Sequence, residues 1–239
     1  MNYKDKKQIR QEILKLRDSL SNEEVVDKSR AIFHRLLEMD IYLNSKIIMC
    51  YMNFRNEVVT REFIKTSFHK GKRIALPLVD KSGSDKKNNI NPDISPDIVQ
   101  NTASPITPCI TPYATPCITP CITPCITPCV TPCIIPCEIK DIDIELEKSM
   151  FGILEPKKEC KRVLNPEDID LIVIPGIAFD LLRHRIGYGA GYYDRFLKTT
   201  RKDSFKVGVA FELQVLKEIC TEEHDVPLDM IITEKRVIL

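Results

Sequence analysis

The spacing of apolar and polar positions predicts two helices at the start of the chain. Residues 3–20 have a helical period, because apolar side chains recur every three or four positions and basic ones lie off that face. The apolar positions are Ile9, Ile13, Leu16 and Leu20, and the basic positions are Lys6, Lys7 and Arg10. A second helix is predicted to begin at Ser21, where Glu24 completes a capping-box pattern, and to run to about Glu38.

Short apolar runs further along the chain predict the strands of a sheet. They lie at 46–52, 73–79, 138–144, 170–175, 206–211 and 229–233. Helices are predicted among them, from Thr60 to Gly71, at about 191–200 and at 212–219. Because fully apolar strands are buried on both sides, this alternation predicts an α/β fold whose mostly parallel sheet is covered by helices on both faces.

A segment rich in proline and cysteine interrupts this pattern. Residues 106–137 read as eight tetrapeptides of the type I-T-P-C and hold seven of the ten cysteines. A proline in every unit excludes a helix or a central strand and favours polyproline II, in which neighbouring thiols lie ~12 Å apart, too far for a disulfide. We interpret 81–137 as a long disordered insertion in a single domain of residues 1–239; a metal-binding comb of thiols is the less favoured alternative.

Charge and hydropathy narrow the range of partners. The net charge of +1 provides no overall field that would attract nucleic acid or an anionic membrane. No apolar run approaches the ~18 residues that a membrane span needs, and the first residues have no apolar signal region. We therefore expect a cytoplasmic monomer that binds small molecules, without a nucleic acid or membrane partner.

Three of the eight glycines fall within five positions of the stretch RIGYGAGYYDRFL, at 185–197. An apolar strand pattern, DLIVIPGIAF, precedes this stretch, and YYDRFLK has helical character. A glycine loop between a strand and a helix start presents backbone N–H groups to an anion, so residues 185–193, here called the glycine loop, predict a phosphate cradle. A plain glycine turn is the alternative, because neither the dinucleotide fingerprint nor the P-loop pattern matches.

An acidic residue, Asp194, directly follows the glycine loop. A carboxylate beside a polyphosphate is repelled unless a cation lies between them, and Mg²⁺ is the usual one. An acid is also favoured in the first turn of a helix for the stability of the helix itself. Spacing alone does not decide between these two roles.

Several motifs in order resemble one enzyme family. The segments are KKQIR, FGILEP, IPGIAFD, HRIGYGAGYYDRFL and HDVPLD. They closely resemble the 5-formyltetrahydrofolate cyclo-ligase family, and the resemblance covers about residues 4–80 and 138–235. It implies ATP-dependent cyclisation of 5-formyltetrahydrofolate to 5,10-methenyltetrahydrofolate with release of ADP and phosphate, and Mg²⁺ as the cofactor.

The resemblance also implies which residues bind each ligand. The ATP-binding positions are Lys6, Lys7, Arg10, Arg185, Ile186, Gly187, Tyr188, Gly189, Ala190, Gly191, Tyr192 and Tyr193. The positions that line the folate are Met52, Glu57, Tyr188 and Tyr192, with Phe151 and Glu155 on the same wall. Asp194 and Asp225 correspond to ligands of Mg²⁺, and Arg185 and Tyr192 to catalytic residues.

Two other functions stay open at this point. The chain could be another Mg-ATP-dependent ligase or kinase on the same scaffold, or a metal- or partner-binding protein that acts through its cysteine-rich segment. Phosphoryl transfer needs positioning and charge neutralisation rather than a covalent nucleophile. The absence of a Ser/His/Asp or Cys/His signature in the sequence agrees with that chemistry.

Overall fold

The computed structural model describes residues 5–80, 133–149 and 152–239, all of which fall within one compact unit. Phe151 and the repeats up to residue 132 lie outside these ranges, so the predictions made for them stay predictions. Within the described ranges, no helix is both long and apolar enough to cross a membrane.

The described residues form five α-helices and thirteen strands. The helices are α1 (Lys6–Asp18), α2 (Asn22–Leu37), α3 (Asp40–Asn44), α4 (Arg61–His69) and α5 (Tyr192–Leu197). The strands are β1 (Ile47–Met49), β2 (Arg73–Asp80), β3 (Cys133–Ile139), β4 (Leu146–Lys148), β5 (Leu154–Pro156), β6 (Arg162–Val163), β7 (Leu171–Ile174), β8 (Ala178–Asp180), β9 (Arg185–Ile186), β10 (Phe205–Val209), β11 (Val215–Leu216), β12 (Met230–Ile232) and β13 (Val237–Ile238).

The predicted parallel sheet is confirmed. Eight strands lie in the order β13-β12-β10-β7-β1-β2-β3-β6. The five strands from β12 to β2 in this order run parallel, whereas β3, β6 and β13 pair antiparallel at the edges. Two smaller sheets, β11-β8-β9 and β4-β5, complete the strands of the described residues.

Alternate side chains of the central strands enter two separate cores. Ile48 packs with residues of α2 and α4, where the rings of Phe33 and Phe63 stack at 4.5 Å. Met49, on the opposite face, packs with Phe196 of α5. A strand places successive side chains on opposite faces, so burial of both neighbours means that the sheet is covered on both sides.

Two of the predicted helix ends are confirmed, and one predicted cap is wrong. Ser21 and Glu24 form the predicted capping box at the start of α2, and Gly71, at φ +75°, follows α4 as expected. Thr60 makes no side-chain cap on α4, which corrects that prediction. Its own φ and ψ of −96° and −16° are helical, and a capping side chain needs an extended backbone.

The buried face of α1 differs from the predicted one. Ile9 and Ile13 are buried, but Leu16 is 50% exposed and Arg17 occupies the next buried position. Positions 9, 13 and 17 lie one above another along a helix, so the face continues through a charged residue instead of a leucine.

Two predicted elements differ from the structure. Residues 138–144 do not form one strand, because β3 ends at Ile139 and the Asp141 carboxylate then accepts hydrogen bonds from the next backbone N–H groups in a turn. Residues 212–219 do not form a helix. The Gln214 side chain donates to the carbonyls of Gly176 and Ile177, which holds a short 3₁₀ turn in place before β11.

The strand β3 begins inside the segment interpreted as an insertion. Residues 133–137 belong to this strand, and its register with β2 runs from Ile74–Ile139 to Asp80–Cys133. Pro77 faces Pro136, and the Pro136 carbonyl accepts a hydrogen bond from Leu164 on its other side. Pro77 and Pro136 exchange no hydrogen bonds, so neither N–H is missed between β2 and β3, and toward β6 only the carbonyl of Pro136 is bonded.

Residues 81–132 therefore join two strands whose ends are already paired. Replacing 81–132 with a two-residue Asn-Gly turn should give folded protein with activity within a few fold of wild type, because a hairpin needs only a short connection. The melting temperature should not fall, because a shorter loop loses less conformational entropy when its two ends are brought together. Insoluble protein after this replacement would contradict the interpretation of an insertion.

A longer deletion serves as the matched control. Removing 81–137 also deletes most of β3, including the buried Ile134 and Cys137. Loss of the buried isoleucine alone costs about 1.5–3 kcal/mol, so this variant should unfold more readily in urea than the shorter deletion.

Candidate active site

The loops that carry the predicted site residues lie where the winding of the chain reverses. From β1 the chain continues through α4 to β2 on one side, whereas β7 is followed by β10 and β12 on the other. The loops after β1 and β7 therefore diverge, and in an open α/β sheet the crevice between such loops is the usual ligand site. The first loop carries Met52 and Glu57, and the second leads to the glycine loop.

Helix α1 lies against the glycine loop through Arg10. The Arg10 Nε donates to the carbonyl of Gly187 at 2.8 Å, and the Arg10 guanidinium also lies beside Gly189. Gly189 and Gly191 have φ angles of +102° and +63°, which explains why glycine is used at these two positions. Lys7, also predicted to bind ATP, is exposed and makes no ion pair with a described residue.

Lys6 is held one turn before Arg10 by two carboxylates. Its Nζ lies 2.8 Å from Asp225 Oδ2 and 2.8 Å from Glu222 Oε1. Burial opposes the charge of Lys6, but hydrogen bonds with these two carboxylates raise its pKa. Burial likewise opposes the charge of Asp225, yet contacts with Lys6 lower the pKa of that carboxyl. The pair is therefore ionised at neutral pH.

Arg185 is a buried cation at the start of the glycine loop. Its Nη2 donates to Asp194 Oδ1 at 2.9 Å, and its Nη1 donates to the carbonyl of Val226 at 3.1 Å. The Val226 N–H also donates to Asp194 Oδ1, so Asp194 ties the loop to the segment that carries Asp225. Burial lowers the pKa of Arg185, and the charge of Asp194 opposes that effect.

The two acids predicted to bind Mg²⁺ lie in this same region. Asp194 uses Oδ1 for its contacts, and Asp225 uses Oδ2 to bind Lys6 and to accept the N–H of Glu222. The second oxygen of each carboxylate can serve a hard cation, whose preferred ligands are oxygens, although His224 Nε2 lies 3.9 Å from Asp225 Oδ1. Among the described residues no group of three or more His, Cys, Asp or Glu side chains is arranged as a metal site. The donor set therefore fits an ion that takes most of its ligands from phosphate and water, as Mg²⁺ does.

Glu57 connects the loop after β1 to the glycine loop. Its Oε1 accepts the Tyr188 hydroxyl at 2.6 Å, and its Oε2 accepts the N–H of Phe54 at 2.9 Å. Glu57 is 6% exposed, and burial raises the pKa of its carboxyl. Burial and the nearby Glu57 raise the pKa of Tyr188 to about 12, so this hydroxyl stays protonated and donates.

Three other residues predicted for the site, Met52, Tyr192 and Tyr193, pack against the core or against arginine side chains. Met52 is buried in the core on the side of α2. The Arg195 guanidinium lies 5.4 Å from the centre of the Tyr192 ring, and its Nη1 donates to the carbonyl of Ala190. Tyr193 lies 6.0 Å from the Arg185 guanidinium, where its ring can stabilise that buried cation.

The segment FGILEP borders the crevice only in part. Glu155 lies on β5, paired with Glu147 of β4. Gly152, at φ +78°, lies against the ring of Phe54, close along the chain to Glu57. The described part of this segment therefore approaches the loop after β1, while its place on the folate wall stays a prediction.

Two residues of the site were missed in the sequence. Arg17 is buried beside Glu57, and its signal was its position on the apolar face of α1, where a charge is unexpected. Glu222 pairs with Lys6 across more than 200 residues of sequence, and no local pattern marks such a pair.

Comparisons with known proteins point to one family. The sequence profile described as the 5-formyltetrahydrofolate cyclo-ligase family matches residues 2–112 and 117–234. The 5-formyltetrahydrofolate cyclo-ligase of Haemophilus influenzae is 25% identical over 229 residues, which cover 95% of this chain and 97% of that protein. The probable 5-formyltetrahydrofolate cyclo-ligase of Schizosaccharomyces pombe is 37% identical over 100 residues, and the match covers 37% of this chain and 49% of that protein.

Solved structures show the same fold. The 5,10-methenyltetrahydrofolate synthetase of Aquifex aeolicus has a TM-score of 0.67 and 27% identity, with 97% of this chain and 91% of that chain covered. The 5,10-methenyltetrahydrofolate synthetase of Mycoplasma pneumoniae has a TM-score of 0.63 at 21% identity, covering 97% of this chain and 99% of that chain, and shows the fold alone. The ordered motifs, the crevice at the reversal of the sheet and the profile match agree, and the chain belongs to the 5-formyltetrahydrofolate cyclo-ligase family.

Proposed function

We propose that this crevice carries out the reaction of the family, the ATP-dependent conversion of 5-formyltetrahydrofolate to 5,10-methenyltetrahydrofolate with release of ADP and phosphate. The observation that carries the proposal is the hydrogen bond from Tyr188 to Glu57. It joins the loop assigned to ATP with the loop assigned to the folate, so the two reactants meet where the loops touch.

The reaction needs an activated oxygen and a nearby amine. The N5-formyl group is an amide, and its oxygen is a poor leaving group. Transfer of the γ-phosphoryl group from ATP to this oxygen gives an imidate phosphate and ADP. The N10 amine then attacks the formyl carbon, N10 loses its proton, and phosphate leaves with the former formyl oxygen. Positioning and charge neutralisation supply most of the acceleration in such transfers.

The nucleotide end of the site brings three cations together, Lys6, Arg10 and Arg185, two of them paired with acids. Lys6 and Arg10 lie one turn apart on one face of α1, where Arg10 contacts the glycine loop and Lys6 contacts Asp225. The backbone N–H groups of the glycine loop add donors for the phosphates. Phosphates that reach Lys6 replace its contacts with Glu222 and Asp225. Arg185, at the start of this loop, is held in place by its ion pair with Asp194.

The loop assigned to the folate contributes one apolar residue and one fixed acid to the predicted site. Met52 provides the packing surface, and the Glu57 carboxylate can accept hydrogen bonds from N–H groups of the pteridine ring. Tyr192, within the glycine loop, is assigned with Arg185 to the transferring phosphoryl group, as the family resemblance implies.

Mg²⁺ fits the remaining oxygens of Asp194 and Asp225. When bound there, it supplies charge neutralisation between these acids and the phosphates of ATP. Arg185 and the Val226 N–H orient the Asp194 carboxylate, and the Glu222 N–H orients that of Asp225. The monomeric state and the cytoplasmic location stay predictions.

The test is one spectrophotometric assay. Wild-type protein with 5-formyltetrahydrofolate and Mg-ATP should produce methenyltetrahydrofolate, followed by its near-ultraviolet absorbance, and should stop without ATP or with EDTA. ATP consumption without methenyl product would instead favour another ligase or kinase on this scaffold. Folded protein that binds neither ATP nor the folate would refute the proposal. Stoichiometric Zn²⁺ uptake lost on deleting 81–132 would then favour the cysteine-rich segment as the working part.

A further inference from the structure

Arg17 is the most buried charged side chain of α1. It lies one turn after Ile13 on the core face of the helix and is 1% exposed. Placing a guanidinium in the interior is costly unless its donors are hydrogen-bonded. A buried arginine in a purely structural role is therefore expected to use most of its five donors.

The contacts of Arg17 are few and are directed to the two site loops. Its Nη2 donates to the Tyr188 hydroxyl oxygen at 3.1 Å, and its Nη1 lies 4.0 Å from Glu57 Oε1. Its Nε and Nη1 are buried without a hydrogen-bond partner among the described residues. The fold thus bears the cost of burying this charge and recovers little of it in structural hydrogen bonds.

These contacts fix the direction of a short hydrogen-bond chain. A carboxylate only accepts, so the Tyr188 hydroxyl donates its proton to Glu57 and can accept only from Arg17. Donation from a guanidinium polarises the hydroxyl and strengthens its bond to the carboxylate. Glu57 is in this way held by α1 through Tyr188 and by its own loop through Phe54.

We infer that Arg17 is a positioning residue that holds Glu57 ionised and in place and, through Tyr188, couples binding of the folate to binding of ATP. This inference rests on the proposed function. It assigns a role to a residue that touches neither reactant. When ATP phosphates order the glycine loop, Tyr188 becomes fixed, Glu57 becomes fixed with it, and the folate binds more tightly.

The charges around Glu57 support this role. The groups that face it from the packed elements are Arg17 of α1, Tyr188 of the glycine loop, Tyr193 of α5 and Tyr51 after β1. Burial raises the pKa of Glu57, while the Tyr188 hydroxyl, the Phe54 N–H and the charge of Arg17 lower it. Among these groups Arg17 is the only cation, so its removal raises the pKa of Glu57 further.

The experiment measures binding, independently of turnover. The Kd for 5-formyltetrahydrofolate is measured between pH 5 and 8, with and without a non-hydrolysable ATP analogue, for wild type, Arg17→Met and Arg17→Lys. Wild type should bind the folate about tenfold more tightly with the analogue. Arg17→Met should lose most of this gain. As the pH is lowered, the affinity of Arg17→Met for the folate should begin to fall about one pH unit above the pH at which that of wild type does. The reason is that Glu57 takes up its proton at a higher pH when Arg17 is absent.

Two variants separate this role from a structural one. Arg17→Lys keeps the charge and should keep the wild-type pH limit, the pH below which affinity for the folate is lost. Ile13→Ala removes a buried side chain from the same face of α1 and should lower the melting temperature without moving the pH limit. If Arg17→Met does not fold, Tyr188→Phe cuts the same chain while the charge stays, and the gain from the ATP analogue should again be lost.

The outcomes are distinct. Wild type that binds no 5-formyltetrahydrofolate overturns the proposed function and this inference with it. Wild type that binds it equally well with and without the analogue, or variants that keep both the coupling and the pH limit, overturn the inference about Arg17 alone.

Discussion

Asparagine in place of Asp194 is expected to lower kcat by about 10²–10³-fold at saturating substrates. The amide keeps the shape of the side chain but loses the charge that would hold Mg²⁺ against the triphosphate, and electrostatic contributions of this kind are commonly worth ~3–4 kcal/mol. The measurement is kcat as a function of Mg²⁺ concentration, where the variant should need far more Mg²⁺ for half-maximal rate. Wild-type turnover at ordinary Mg²⁺ would leave Asp194 without a role in metal binding.

The same substitution should also destabilise the fold more than the sequence suggests. From its position at the start of α5, Asp194 contributes only a helix-dipole effect of about 0.3–1 kcal/mol. In the structure it also pairs with Arg185, whose side chain is 4% exposed, and removal of its charge leaves that guanidinium without an ionic partner. We expect a loss of roughly 1–3 kcal/mol in urea unfolding. Asp203→Asn is the control, because Asp203 pairs with Arg201 at the surface and is 82% exposed.

Alanine in place of Gly189 is expected to raise the KM for ATP by about 10–100-fold. At φ +102° an alanine costs about 1–3 kcal/mol in backbone strain, which the loop can relieve by moving away from Arg10. The reason is conformational and not crowding, since a Cβ at this position would lie 3.7 Å from the nearest atom of Arg10. The loop alone should change, so the melting temperature should fall by only a few degrees.

Gly187→Ala provides the matched control for this prediction. A Cβ at Gly187 would meet nothing within 4 Å, and its carbonyl still accepts the Arg10 hydrogen bond. The two variants change the same loop by one methyl group, but only Gly189→Ala is strained. Equal KM values for ATP in both variants would show that the left-handed backbone of Gly189 is not needed for the nucleotide.

The interior of the fold could be predicted from the sequence better than its edges. Buried parallel strands such as β7 (Leu171–Ile174) are apolar at every position, so they stand out from any background. Strand β3 was obscured by the repeat pattern around it, because Pro136 argues against a strand until its unbonded partner Pro77 is known. The segment after Phe211 has the apolar spacing of a helix. It does not form one because the Gln214 side chain is hydrogen-bonded to Gly176 and Ile177, in the connection between β7 and β8.

The site could likewise be predicted only in part. Local motifs such as the glycine loop indicated phosphate binding, and the order of motifs indicated the family. Contacts between distant segments could not be predicted, since nothing near Lys6 in the sequence points to Glu222. Arg17 was missed because an amphipathic period assigns charged residues to the surface, whereas here the buried face of α1 continues through one.

The register of β2 with β3 has a consequence for how the polypeptide can be divided. A cut anywhere between residues 81 and 132 breaks one covalent link and none of the pairs from Ile74–Ile139 to Asp80–Cys133. The two pieces meet through the parallel pair β1–β7 as well, so each is left with an open, apolar strand that only the other can cover. Residues 1–80 and 133–239, produced as separate chains, are thus natural halves of a split enzyme, in which reconstituted turnover reports that the halves have been brought together.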